Sequence, residues 1–296
     1  MPLDRLRLTV MLRLNGLLSG DYGGLFRGHG TERGEARPYV PGDDPRHIDW
    51  AVTARHHEPH VRDMIADHEL DVWLVLDTSS SLGFGTADST KHEVAWSVAG
   101  AFALLASTGG NRVGAVRSTT APGKTRPQLY PARGGSAHTA TVLKDLRRDP
   151  VDGDPGDLAG AIDLVARAAR RRGMAVVISD FLDDQAWQQP LRRLAARHEV
   201  IAVEVMDRRE VELPDVGLVA VVDPETGARR LLDTSQAHVR SDYADLAGER
   251  RRELAATLKR IRVDHLAVST DADWVLEFVR FVSRRKMRLM SARRSV

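Results

Sequence analysis

Short, almost unbroken apolar runs mark the chain at Val72 to Asp77, Val113 to Arg117, Met174 to Asp180 and Val200 to Met206. Runs of this length without polar alternation predict strands covered on both faces. Two of them lead straight into a carboxylate, Asp77 and Asp180. Between and after them, His92 to Ser107, His138 to Arg147, Asp157 to Arg172, Ala186 to Arg197, Ala237 to Arg260 and Asp273 to Arg288 read as helices. Gly109-Gly110 stops the first of these helices. In the last, Trp274, Phe278, Phe281 and Val282 share a face. The alternation predicts an α/β fold, with a mainly parallel, Rossmann-like sheet and helices on both faces. Leu218 to Val222 and Arg229 to Leu232 flank Asp223-Pro-Glu-Thr-Gly227 and predict a hairpin.

The first seventy residues read differently. Leu3 to Leu18 fits a helix, with Leu6, Val10, Leu14 and Leu17 on one face. Glycine and proline then crowd the stretch to Pro45, which predicts loops and short strands. His60 to Ile65 reads as a strand. The chain therefore divides into an irregular region, 1–70, packed on a main domain, 71–296.

Composition narrows the chemistry. The 296 residues are 42% hydrophobic and 28% charged, a globular balance. Cysteine is absent, which excludes disulfides, thiolate metal sites and a cysteine nucleophile. Lys and Arg number 43 against 41 Asp and Glu, a net charge of +2, so no overall field gathers nucleic acid. Aromatics are 5%, too few for single-strand stacking platforms. The longest apolar stretch, Val94 to Ala106, is short of the roughly 20 residues of a membrane span. Arg13 interrupts any leader-like run, and a cytoplasmic protein is expected.

The sharpest local motif is Asp77-Thr78-Ser79-Ser80-Ser81, directly after a buried strand. Open parallel sheets bind ligands outside their carboxyl ends. Two carboxylates and two hydroxyls at neighbouring strand ends make an all-oxygen set, which suits Mg²⁺ or Mn²⁺ better than Zn²⁺. The bland reading is that Ser79 and Ser81 satisfy turn amides. The motif resembles the Asp-x-Ser-x-Ser of the von Willebrand factor A domain and its metal-ion-dependent adhesion site. That resemblance implies Asp77, Ser79, Ser81 and Asp180 as metal-site residues, with a partner carboxylate at the open position. The family's Thr sits in a Thr-x-x-Gly-x-Ala-Leu or Thr-Asp-Leu-Ala-x-Ala-Leu context. Here that segment reads Gly156-Asp157-Leu158-Ala159-Gly160-Ala161-Ile162. Glycine stands where the Thr belongs, and Asp157 is either a substitute ligand or the cap of the following helix.

A longer ordered block precedes it: Arg37-Pro38-Tyr39, Gly42-Asp43-Asp44-Pro45-Arg46, Ile48-Asp49-Trp50 and Thr53-Ala54-Arg55. Asp43 or Asp44 suits a turn or helix cap. Arg46, Asp49 and Arg55 suit a charge network beside Trp50. Burial of Trp50, Ile48 and Tyr39 against the sheet is expected, with a second interface as the other role. The block resembles the signature of the bacterial domain of unknown function 58 family, which also carries the Asp-x-Ser-x-Ser motif. The match continues through Lys91, Glu93, Gly114, Ser179-Asp180-Phe181 and the hairpin. The resemblance implies a von Willebrand factor A-like domain and a chaperone-like adaptor role. It also implies a MoxR-type AAA+ ATPase and a client protein as partners.

Other chemistries have less behind them. His56, His57 and His60, with Asp63 or Asp67, would be zinc ligands only if brought together, and Pro59 breaks the helix between them. No Gly-x-Ser-x-Gly elbow and no phosphate-binding Gly-x-x-x-x-Gly-Lys-Ser/Thr is present. The basic tail, Arg280 to Arg294, reads as a solvated helix end or as a contact for an acidic surface. The expected function is a non-enzymatic protein-binding adaptor with a Mg²⁺-dependent site. The alternative is a metal-dependent hydrolase at Asp77 and Asp180 or at the histidines, with Asp183 or Asp184 as the nearest base.

Overall fold

The computed structural model describes residues 36–41, 43–45, 48–56, 58–62, 69–119, 127–150, 155–182, 186–222 and 228–293, the last five as backbone only. The expected helix over 3–18, His57, Asp63, Asp67, Asp183, Asp184 and the hairpin turn 223–227 lie outside the described residues.

A six-stranded sheet forms the body. Its strands are β3 (Asp71–Leu76), β4 (Arg112–Arg117), β5 (Gln128–Arg133), β6 (Gly173–Ser179), β7 (Glu199–Met206) and β10 (Asp264–Ser269). They lie in the order β10-β7-β6-β3-β4-β5. All pairings are parallel except β4 with the edge strand β5. The order reverses at β3, the first strand in the sheet, which makes the ends of β3 and its neighbours the switch point of a doubly wound fold.

Strand alternation loads both faces. Val72, Leu74 and Leu76 of β3, with Met174, Val176 and Ile178 of β6, join one apolar core. Trp73 and Val75, with Ala175 and Val177, join the other. The first core is covered by α2 (Lys91–Thr108), α3 (Ser136–Leu146) and α7 (Trp274–Arg293). The second is covered by α4 (Leu158–Ala168), α5 (Gln188–Ala195) and α6 (Ala237–Arg260). Phe102 of α2 meets Phe278 of α7 edge to face at 5.0 Å. Gly114 is glycine because a Cβ there would stand 2.7 Å from the Trp73 ring.

Helix α2 opens with a capping box between Thr90 and Glu93 and is buried nearly throughout, its first residues Lys91 and His92 included. Two strands have no counterpart in the sequence expectations. β5 is a half-exposed edge carrying Pro131, and β10 is only half-buried, so neither shows an apolar run. The hairpin is present as β8 (Leu218–Val222) paired antiparallel with β9 (Arg229–Asp233).

Ahead of the sheet, β1 (Ala36–Pro38) pairs antiparallel with β2 (His60–Arg62), and α1 (Trp50–His56) lies between them in sequence. The expected burial of Trp50 is corrected: it opens α1 with 72% of its surface exposed. The solvated reading of the basic tail is also corrected in part. Arg285 is buried, 2.5 Å from Glu199 and paired with Asp264, which Arg288 also joins. α7 is thereby locked to the amino ends of β7 and β10.

At the opposite edge, Asp207 follows β7 and is fully buried. It accepts hydrogen bonds from the Thr86 amide (2.8 Å), the Thr86 hydroxyl (2.6 Å), the Thr270 hydroxyl (2.6 Å) and the Arg209 amide (2.9 Å). One carboxylate thus ties together the segments after β3, β7 and β10.

Candidate functional site

The site forms where β3 and β6 end side by side. The Asp77 amide donates to the Ile178 carbonyl at 2.9 Å, which carries the β3–β6 pairing one residue past the strand. Asp77 Oδ1 accepts from the Ser79 amide and the Ser118 hydroxyl, both at 3.0 Å. Its Oδ2 accepts from the Ser179 hydroxyl at 2.7 Å. Burial and the nearby Asp180 charge push the Asp77 carboxyl above its ordinary range, against these three donors. The Ser79 and Ser81 hydroxyls lie 3.1 Å apart, and Ser80–Gly83 forms a short 3₁₀ turn. The expected quartet of Asp77, Ser79, Ser81 and Asp180 is gathered at one edge, all of it buried.

After β6 the backbone turns sharply. Phe181 takes φ 52°, in the left-handed region where a non-glycine residue is strained. The Ser179 hydroxyl accepts from the Phe181 amide at 2.9 Å, and Asp180 Oδ1 accepts from the Leu182 amide at 3.2 Å. The turn aims Asp180 at Lys91. Lys91 Nζ stands 2.7 Å from Asp180 Oδ2 and 2.5 Å from Glu210 Oε1, with none of its side chain exposed. Burial opposes its charge, but Asp180 and Glu210 overcome that and raise its pKa. Lys91 and Glu210 stand beside the candidate quartet, and sequence reasoning gave neither a place in it. A lysine in the first turn of an otherwise apolar helix was the available signal for Lys91; nothing local marks Glu210.

Gly156 occupies the position the Thr would take. It adopts φ +69°, and a Cβ there would stand 3.2 Å from Ser118 Oγ and Ser79 Cβ and 3.3 Å from Asp77 Oδ1. Asp157 is the N-cap of α4, accepting from the Gly160 amide at 2.7 Å. The oxygens present match Mg²⁺ in kind, but the set fits it poorly. Gly156 offers no hydroxyl, Asp180 Oδ2 is paired with the Lys91 ammonium, and Asp157 caps α4. Among the described residues no three His, Asp or Glu side chains converge in a way that could hold a metal ion. Restoring the Thr is expected to fail: Gly156→Thr forces a β-branched residue to positive φ. It should cost about 1–3 kcal/mol without creating Mg²⁺ affinity, as read by thermal unfolding with and without Mg²⁺.

Described residues of the N-terminal block bond to one another. Asp43 makes a double hydrogen bond to Arg37, at 2.7 and 2.8 Å, which together with the Val40 amide holds its carboxyl down at about 2. Asp49, rather than Asp43 or Asp44, caps α1, accepting from the Ala51 and Val52 amides at 3.0 and 3.2 Å. Asp44 and Arg55 are exposed, and Gly42 and Arg46 lie outside the described residues. The His56 and His60 rings stand 5.0 Å apart, but His60 Nδ1 is engaged by the Glu58 carbonyl at 2.8 Å.

The chain is 49% identical to the uncharacterized protein Rv1480 of Mycobacterium tuberculosis over 286 residues, 96% of this chain and 89% of that one. Among solved structures it is similar to the conserved hypothetical protein BatB from Bacteroides thetaiotaomicron, with TM-score 0.44 and 12% identity over 73% of this chain and 98% of that one. It is also similar to a von Willebrand factor type A protein from Catenulispora acidiphila, with TM-score 0.37 and 10% identity over 74% and 42%. No helix among the described residues is long and apolar enough to cross a membrane. The model of the family described as "Protein of unknown function DUF58" matches residues 35–253, and the chain belongs to that family.

Proposed function

We propose that the chain is a non-enzymatic protein-binding adaptor. It meets its partner at the edge of the sheet where β3 and β6 end, the place of the ligand crevice in open α/β sheets, and it works with a MoxR-type AAA+ ATPase in chaperone-like maturation of a client protein. The observation behind this reading is the gathering of Asp77, Ser79, Ser81 and Asp180 at the switch point of the sheet, the place where open α/β sheets take ligands. The side chains there are bonded to one another as a rigid frame. Such a frame suits recognition better than proton transfer, which needs a group free to give and take a proton. The ATPase and client come from the family resemblance carried by the Arg37 to Arg55 block and the Asp77 motif.

The exposed Trp50 supports a second contact surface on the N-terminal block, since aromatic anchors dominate interface energetics. Affinity capture from the native cell extract, with Mg²⁺ present throughout, tests both surfaces by mass spectrometry. The wild-type chain is expected to retain an AAA+ ATPase, and Asp77→Asn to lose it while remaining folded. Trp50→Ala should reduce retention while changing stability by less than about 0.5 kcal/mol. Absence of any ATPase from the wild-type capture overturns the reading. Turnover of phosphate esters or peptides that disappears in Asp77→Asn replaces it with a hydrolase.

A further inference from the structure

We infer that Lys91 is the resident cation of this crevice: its buried ammonium, bonded to Asp180 and Glu210, takes the charge that a divalent metal supplies in adhesion-type sites, and the crevice works without Mg²⁺. The inference rests on the crevice being the functional site, but its test is independent of any partner.

Three features of the donor set carry it. The first is the ion pair itself. Lys91 opens α2, Asp180 follows β6 and Glu210 follows β7, so one ammonium staples three segments at the switch point, at 2.7 and 2.5 Å. A dication at Asp180 would have to share that carboxylate with a fixed positive charge in a buried setting, where like-charge repulsion is poorly screened. The second is the state of Asp77. Both lone pairs of Oδ1 are taken, by the Ser79 amide and the Ser118 hydroxyl, and one of Oδ2 is taken by the Ser179 hydroxyl. The third is the hydroxyl inventory. Ser79 and Ser81 are the hydroxyls of the motif, and position 156 supplies none to complete a set with them. Lysine suits the role because its ammonium is a compact point charge with three donors, able to serve two carboxylates at once.

The consequence is a change in how a partner is met. With no metal to complete, a partner carboxylate has no coordination position to fill, and recognition runs through shape and hydrogen bonds at the crevice rim. Divalent cations then play no part in assembly at this site.

Titration of the wild-type chain with Mn²⁺, followed by the electron paramagnetic resonance signal of the free ion, tests this directly. No bound Mn²⁺ is expected up to about 1 mM, the weak end of protein cation sites. Mg²⁺ is expected to leave the wild-type Tm unchanged. In Lys91→Met, where the carboxylates have lost their ammonium, Mg²⁺ is expected to raise the Tm by about 3 °C. One Mn²⁺ bound per wild-type chain and lost in Asp77→Asn overturns the inference, and so does a folded Lys91→Met indifferent to Mg²⁺. Should Lys91→Met not fold, the wild-type titration decides alone. A failed ATPase capture would remove the adaptor reading and leave the Mn²⁺ result standing.

Discussion

Lys91→Met is expected to destabilise the chain by about 3–5 kcal/mol, the range for breaking a buried ion pair from one side. Methionine keeps the length of the lysine stem and its apolar packing, so little of the loss comes from a cavity. The cost falls on Asp180 and Glu210, left without their shared ammonium, and most heavily on Asp180, which is buried from water, whereas Glu210 is partly exposed. Urea unfolding measures the loss as a lower midpoint at unchanged slope. Lys91→Met/Asp180→Asn should recover part of it, because one of the two uncompensated charges is gone. A loss below about 1 kcal/mol for Lys91→Met alone would mean that the pair is solvated and contributes like a surface bridge.

Asp207→Ala is expected to rank next, at about 3 kcal/mol, because it strands several donors at once and frees the segments after β3, β7 and β10. Its pH dependence has a definite sign. Burial pushes the Asp207 carboxyl up, but hydrogen bonds from Thr270, Thr86 and Arg209 outweigh it and hold the folded pKa at about 2, below the ordinary 3.8. A depressed folded pKa means that the stabilisation is complete above 3.8 and is lost as pH falls through about 2. Over that window the wild type should lose on the order of 2 kcal/mol that Asp207→Asn does not lose. Urea midpoints measured from pH 5 to pH 2 on both proteins check it; parallel curves would remove Asp207 as the source. The variant retains the loop contacts in part, which separates the titration from simple unfolding.

Local pattern carried much of the fold. The runs at Val72 and Met174 are strands because they are buried on both faces, and a strand covered twice must be apolar at every position. The helices were legible as stretches between and after the strand runs, and the hairpin from two short runs flanking a turn. Asp77 and Asp180 were legible as candidates because each follows a buried strand and Asp77 opens the Asp-x-Ser-x-Ser motif, and the structure brings the two to one edge of the sheet. The edges of the sheet were not legible. β5 and β10 are only partly covered, so they carry no continuous apolar signal.

Burial of the polar groups was decided elsewhere in the chain. Trp50 is exposed although its composition argued for a core, since its surroundings in space, not its hydrophobicity, set how much of it is covered. Arg285 reads as one more basic residue in a tail until β7 and β10 place Glu199 and Asp264 beneath it. The sequence by itself determined the α/β architecture, the family and the strand ends at which the candidate site stands. Only the tertiary structure decided which charged groups meet there. Lys91 and Glu210 are separated by more than a hundred residues and bear no spacing rule, and they meet because α2 and the end of β7 converge on one edge of the sheet. Ion pairs of that kind are fixed by where three segments end in space, which residue order reveals only after the chain has folded.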